Sequence, residues 1–182
     1  MGAKGRRIAI PHPEYKEPEL IASIADVQRV IRQKHMYDAN GNPDLEQVAQ
    51  EYNIKVRREE LPSLQSGYLR HSKDEGWVIG VNKKHPSARQ RFTIAHELGH
   101  YVLHRNDRGT TDFEDEIFFR ATDVSPMEYA ANMFAADLLM PEDRIREEIS
   151  NGMRDLSELA NKFSVSIEAM KYKVESLGYI IK

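Results

Sequence analysis

The sequence contains no cysteine, no long apolar run and no strong excess of charge of either sign. Without cysteine the chain forms no disulfides and offers no thiolate ligands, so any metal ion must be held by His, Asp or Glu. No apolar segment approaches the roughly 18 residues that a bilayer span needs, and no apolar signal-peptide core follows the basic residues near the start. The formal net charge of −3 gives no general attraction to nucleic acid or to an anionic membrane. We therefore expect a cytoplasmic protein that acts on no membrane and for which nucleic acid is not the partner.

A chain of 182 residues, 40% hydrophobic and 30% charged, can bury one substantial core but is too short for two full-size domains. Its amphipathic segments follow the order helices, strands, helices, which predicts an α+β fold. We expect a mostly helical molecule with a small sheet packed against one long helix. The predicted organisation is an extended N-terminal arm, a main domain and a helix-turn-helix-like C-terminal subdomain, over residues 1–18, 19–152 and 153–182.

Apolar spacing, turn residues and capping residues place the individual elements. Helices are predicted over residues 19–34, 45–52, 86–105, 127–139, 142–151, 156–163 and 167–177. Strands are predicted over residues 54–57, 67–70 and 77–82. The polar, acidic residues 107–123 predict a surface loop with a short helical turn.

The predicted long helix carries the motif His96-Glu97-Leu98-Gly99-His100. At about 100° per residue, His96 and His100 lie about 40° apart round the helix and about one turn apart along it, so both imidazoles can reach one metal ion. Glu97 falls about 60° further round, which places its carboxylate beside the ion, where it can take a proton from a water molecule. This spacing predicts a hydrolytic metal site.

A catalytic zinc ion needs a third protein ligand, for which the sequence offers three candidates. His104 lies about 12 Å along the helix axis from His96, so it could join the same site only with severe distortion. A cluster of acidic residues in the predicted loop is more typical of a solvated surface: Asp112, Glu114, Asp115 and Glu116. Glu128 is better placed, because a carboxylate among the small apolar residues of the next helix is strongly unfavourable unless a charge pairs with it.

Two further residues near the motif have both a structural and a functional interpretation. Gly99 costs about 1 kcal/mol relative to alanine in a helix interior, and the close approach of a neighbouring backbone is the simplest explanation for it. Asn132, one turn after Glu128, is either a tolerated polar residue on a helix flank or an acceptor for the ring N–H of a ligand histidine.

Two runs of the sequence together resemble the ImmA/IrrE family of metallo-endopeptidases: residues 91–104 (RFTIAHELGHYVLH) and 128–141 (EYAANMFAADLLMP). The resemblance extends over about residues 44–178, whereas residues 1–43 carry none.

This resemblance implies a zinc ion held by His96, His100 and Glu128, with Glu97 as the general base. The main domain would then be a zinc metallopeptidase domain in a bacterial or phage cytoplasm. The implied substrate is a helix-turn-helix repressor, cut to switch on genes of mobile elements or stress responses. Some members of the family are paired with such a protein as toxin and antitoxin.

The C-terminal segment 156–177 contains two predicted helices separated by Val165-Ser166, which resembles a helix-turn-helix. Residues 154–182 contain five basic and four acidic residues, so their net charge of +1 is small for phosphate binding. The segment is therefore a packing unit, a surface for a substrate or partner, or, least favoured, a DNA-binding element. Nothing in the sequence indicates the oligomeric state.

The leading hypothesis is a zinc-dependent endopeptidase with its cleft between the sheet edge and the long helix. The competing hypothesis is a metal-containing binding module, or a toxin–antitoxin component, that docks to a helix-turn-helix partner. For the endopeptidase we expect the substrate to lie extended along strand 77–82, just before the long helix. A free edge there would offer main-chain hydrogen bonds to any peptide, whereas an interior strand would offer none.

Overall fold

The computed structural model describes residues 23–105, 113–114 and 125–181. The predicted N-terminal arm and the first residues of the first predicted helix lie outside this range. The predicted loop 107–123 also lies outside it, apart from the two residues of a short strand.

Seven helices occur in the described part of the chain, with ends within two residues of the predicted ones wherever both ends are described. Side chains at five N-caps accept a hydrogen bond from a first-turn backbone N–H, which explains why these helices begin where they do: Ser23, Asp44, Ser125, Asp155 and Ser166. The helices are α1 (Ile24–Lys34), α2 (Leu45–Glu51), α3 (Ser87–His104), α4 (Pro126–Leu139), α5 (Glu142–Ser150), α6 (Leu156–Phe163) and α7 (Ile167–Ser176).

The sheet has the strand order β1-β3-β2-β4, with β1 parallel and β2 antiparallel to β3. The strands are β1 (Ile54–Glu59), β2 (Gly67–Ser72), β3 (Gly76–Asn82) and β4 (Phe113–Glu114). The fold is therefore α+β and mostly helical, as predicted.

The prediction that residues 77–82 offer a free sheet edge is wrong, because β3 is hydrogen-bonded on both sides. Val78, Ile79 and Val81 are all at most 1% exposed, so β3 is buried on both faces rather than on alternate residues. Such a continuous apolar run is typical of a central strand. A peptide substrate therefore cannot add to β3.

Helix α3 is the central helix of the fold, and residues 93–102 are buried on all its faces. It packs directly on the sheet at Gly67, where a Cβ atom would lie 2.4 Å from Cγ2 of Thr93. Helix α4 covers another side of α3. The core thus surrounds the helix that carries the His-Glu-x-x-His motif.

The C-terminal helices share this core rather than standing apart from it. Met170 and Val174 of α7 are buried in the same apolar cluster as the residues of α3 and the sheet. The buried side chain of Asn42 donates to the carbonyl oxygen of Lys162 at 2.9 Å, and Lys173 of α7 binds Asp137 of α4 at 2.6 Å. These contacts tie α6 to the loop before α2, and α7 to α4.

Within residues 23–105, 113–114 and 125–181, no helix is both long and apolar enough to cross a membrane.

Candidate metal centre

Helices α3 and α4 are in close contact at Gly99. A Cβ atom there would lie 3.2 Å from both Cα and the carbonyl oxygen of Ala131 and 3.1 Å from Cδ1 of Phe134. The prediction that a neighbouring backbone approaches Gly99 is confirmed. The absence of a side chain at this position lets α4 lie against α3 and brings Glu128 to the histidines.

Three ligating atoms converge where the two helices meet. Nε2 of His96 lies 3.3 Å from Oε2 of Glu128, and Nε2 of His100 lies 3.1 Å from Oε1 of the same carboxylate. The two Nε2 atoms are 2.9 Å apart. All three residues place a ligating atom within 4.8 Å of the others, and in the described part of the chain they are the only such group of His, Asp or Glu.

Glu128 is the most exposed of the three residues. The side chains of His96 and His100 are only 3% and 5% exposed, whereas that of Glu128 is 34% exposed. The two histidine rings are therefore enclosed by protein, and the carboxylate is the part of the centre that solvent reaches.

Asn132 contacts the ring of His96, which favours its functional interpretation. Its amide oxygen lies 3.0 Å from Nδ1 of His96. Because that oxygen can only accept a hydrogen bond, Nδ1 carries a proton, which leaves Nε2 as the ring nitrogen that would bind a metal ion. Asn132 thus orients His96 with Nε2 toward Glu128 and His100.

The two imidazoles hold the pKa of the Glu128 carboxyl well below its usual range. The hydrogen bond with His100 has the largest effect, followed by that with His96, and together they outweigh the burial that would raise the pKa. Glu128 is therefore a carboxylate at neutral pH, the form that binds a metal ion.

The other residues predicted for the site are Glu97, His104 and the acidic cluster. Glu97 lies on α3 between the two histidines and is 1% exposed. The ring of His104 lies 5.7 Å from that of His100 and is not part of the converging group. The side chains of the acidic cluster at residues 112–116 lie outside the described residues.

The donor set fits a zinc ion. Zinc in hydrolases is bound by histidine nitrogen and carboxylate oxygen, with three protein ligands and one position left open. Here two imidazole nitrogens and one carboxylate converge, Asn132 holds a proton on Nδ1 of His96, and Glu128 is the most exposed of the three. A His-Glu-x-x-His helix completed by a carboxylate is the arrangement of metal-dependent hydrolases.

Comparison with known proteins places the chain within this class. Residues 49–175 match the Peptidase_M78 family, described as the IrrE N-terminal-like domain, and the chain belongs to that family. It is 36% identical over 98 residues to the radiation response metalloprotease IrrE of Deinococcus radiodurans, covering 52% of this chain and 30% of that protein. It is 26% identical over 160 residues to the metallopeptidase ImmA of Bacillus subtilis, covering 84% of this chain and 83% of that protein. The chain thus spans about a third of IrrE but most of ImmA.

A solved structure, described as a Mycobacterium tuberculosis transcriptional regulator, shares the fold with a TM-score of 0.59 at 18% identity. The match covers 83% of this chain and 46% of that one.

Sequence patterns did not single out three residues beside the site. Phe92 lies on α3, and its ring stacks on that of His96 with the two ring centres 6.3 Å apart. Tyr129 and Met133 of α4 are exposed large side chains that directly follow Glu128 and Asn132. The sequence does contain a signal for these two residues. Tyr129 and Met133 are four residues apart, and each directly follows a polar residue of the site, Glu128 or Asn132.

Proposed function

We propose that this chain is a zinc-dependent endopeptidase in which His96, His100 and Glu128 bind the metal ion and Glu97 is the general base. The observation that carries the proposal is the convergence of three ligating atoms within 4.8 Å at the contact between α3 and α4. Membership of a peptidase family, with relatives named as a metalloprotease and a metallopeptidase, supports the reaction class.

Each polar residue of the centre has a separate task in this reaction. Zinc bound here would lower the pKa of a water molecule toward neutrality and polarise the peptide carbonyl. Glu97 accepts the proton of the attacking water and transfers it to the leaving amine. Asn132 keeps the proton of His96 on Nδ1, which fixes the ring orientation.

We further propose that the substrate is a helix-turn-helix repressor in the cytoplasm, as the resemblance to the ImmA/IrrE family implies. The match to ImmA supports this choice, because it extends over 83% of that protein and not over a shared motif alone. The helix-turn-helix-like C-terminal subdomain, residues 153–182, is proposed to be a packing unit, since α6 and α7 contribute to the common core.

The test combines metal analysis of the purified protein with a cleavage assay on the helix-turn-helix protein encoded next to it. Bound zinc and cleavage that is lost in Glu97→Gln would support the endopeptidase. Bound zinc with a partner that is captured but left intact would favour the docking module. Protein that binds no zinc would contradict the metal centre.

A further inference from the structure

The third ligand of the proposed metal centre, Glu128, lies in the first turn of α4, at the less buried end of that helix. Helix α4 begins at Pro126, and the first of its buried residues is Ala131. None of residues 126–130 is buried. Packing in the core therefore holds α4 from Ala131 onward, whereas the backbone of Glu128 lies in the turn before that point.

Ser125 forms a hydrogen bond with the backbone of Glu128 itself. Its Oγ atom accepts from the N–H of Glu128 at 3.2 Å, and its carbonyl oxygen accepts from the N–H of Tyr129 at 3.0 Å. The N–H of Glu128 is one of the first four N–H groups of the helix, which have no partner within the helix. Ser125 is thus the N-cap of α4 and directly contacts the main chain of a proposed metal ligand.

Pro126 favours the backbone conformation that Ser125 needs for this contact. A residue before proline is restricted to extended backbone, and Ser125 has φ −60° and ψ 151°. Extended backbone is typical of an N-cap, and proline is favoured at the first helical position, which Pro126 occupies. The Ser125-Pro126 pair therefore fixes where α4 begins and, with it, the position of Glu128.

The spacing of Ser125 and Glu128 is also that of a capping box, a motif that serves helix stability alone. In a capping box the glutamate side chain binds back to the backbone N–H of the N-cap. Here Oε1 of Glu128 lies 3.1 Å from Nε2 of His100, and Oε2 lies 3.3 Å from Nε2 of His96. The serine half of the motif is retained, while the carboxylate contacts the two histidines.

We propose that Ser125 is a positioning residue of the metal centre, because it holds the backbone N–H of Glu128 and keeps the first turn of α4 formed. This inference rests on the metal centre proposed above. A ligand on a frayed turn binds the ion only in the fraction of molecules in which the turn is formed, and the apparent zinc affinity falls with that fraction. Ser125 thus acts on the metal ion through Glu128.

The test compares Ser125→Ala with Ser166→Ala, the same change at another exposed N-cap. Ser166 caps α7, which carries no proposed ligand, and its Oγ atom accepts from the N–H of Ala169 at 3.1 Å. Zinc affinity is measured by titration against a competing chelator, and the stability of the metal-free proteins by urea unfolding. We expect Ser125→Ala to bind zinc about 3- to 10-fold more weakly, the factor that corresponds to a lost N-cap. Ser166→Ala should bind zinc like the parent, although it unfolds at a lower urea concentration.

Two further measurements separate positioning from a general loss of stability. Ser125→Thr keeps the hydroxyl group and should restore most of the zinc affinity, because threonine also caps helices. Hydrogen–deuterium exchange over residues 126–130 should be faster in metal-free Ser125→Ala than in the metal-free parent, and zinc should slow it in both proteins.

Four results would overturn this role of Ser125. They are parental zinc affinity in Ser125→Ala, an equal loss of affinity in Ser166→Ala, a Ser125→Thr protein as weak as Ser125→Ala, and unchanged exchange over residues 126–130. A parent protein that takes up no zinc in the first titration would instead refute the metal centre, and the role of Ser125 with it.

Discussion

Replacing Gly99 by alanine tests whether the contact between α3 and α4 holds the metal ligands in place. The new Cβ atom would lie 3.1–3.2 Å from Ala131 and Phe134, so the neighbouring atoms must give by a few tenths of an ångström. Two of the three contacts are with the backbone of Ala131, which can yield only if α4 itself moves. Glu128 lies on that helix, three residues earlier.

Two opposing effects set the size of the change in stability. Alanine is favoured over glycine in a helix interior by about 1 kcal/mol. Overpacking of a tightly packed contact costs about 1–3 kcal/mol. We therefore expect the free energy of unfolding of the metal-free Gly99→Ala protein to fall by about 0–2 kcal/mol. Zinc affinity should fall several-fold in addition, because metal ligands tolerate displacements of only about 0.2 Å.

Urea unfolding of the metal-free protein measures the change in stability, and zinc titration against a competing chelator measures the change in zinc affinity. Gly99→Val extends the series, since the larger side chain should lower both quantities further. The contrary result is a Gly99→Ala protein whose free energy of unfolding rises by about 1 kcal/mol and that binds zinc as tightly as the parent. That result would show that the contact between α3 and α4 does not position Glu128.

Three further predictions concern the residues of the centre. Glu97→Gln should retain zinc but lose cleavage, because the amide cannot accept the proton of water, and normal turnover would remove Glu97 from the mechanism. Glu128→Ala should lose most of its zinc affinity while His104→Ala keeps it, as metal titration can show; the reverse pattern would identify a different third ligand. Asn132→Leu should lower zinc affinity about 10- to 100-fold, whereas Asn132→Asp, which still accepts a hydrogen bond, should stay near the parent; equal affinities in both would mean that the contact with His96 is incidental.

The sequence predicts those features of the site that depend on local geometry. His96 and His100 lie on one helix, so their separation follows from the helix itself. Glu128 was favoured as the third ligand on energetic grounds, and the structure brings it to both histidines. Gly99 could be assigned because glycine inside a helix needs a steric reason, and that reason is the backbone of Ala131.

Features that depend on pairing between distant segments could not be predicted in this way. The strand at 76–82 has apolar residues on both faces, but its pattern does not reveal that β1 pairs with it in parallel from one side and β2 from the other. Sheet order is set by contacts across the fold, so the assumed free edge was wrong. The exposure of Met133 likewise depends on which side of α4 the helices α1 and α3 leave open.

The most direct test of the account is peptide cleavage measured as a function of zinc occupancy. Metal-free protein is titrated with zinc, and cleavage of the helix-turn-helix protein is followed at each step, with bound zinc determined on the same samples. The account predicts that activity rises in proportion to occupancy, reaches its maximum at one zinc per chain, and is absent at full occupancy in Glu97→Gln. Cleavage that is independent of zinc occupancy, or equal in Glu97→Gln, would contradict it.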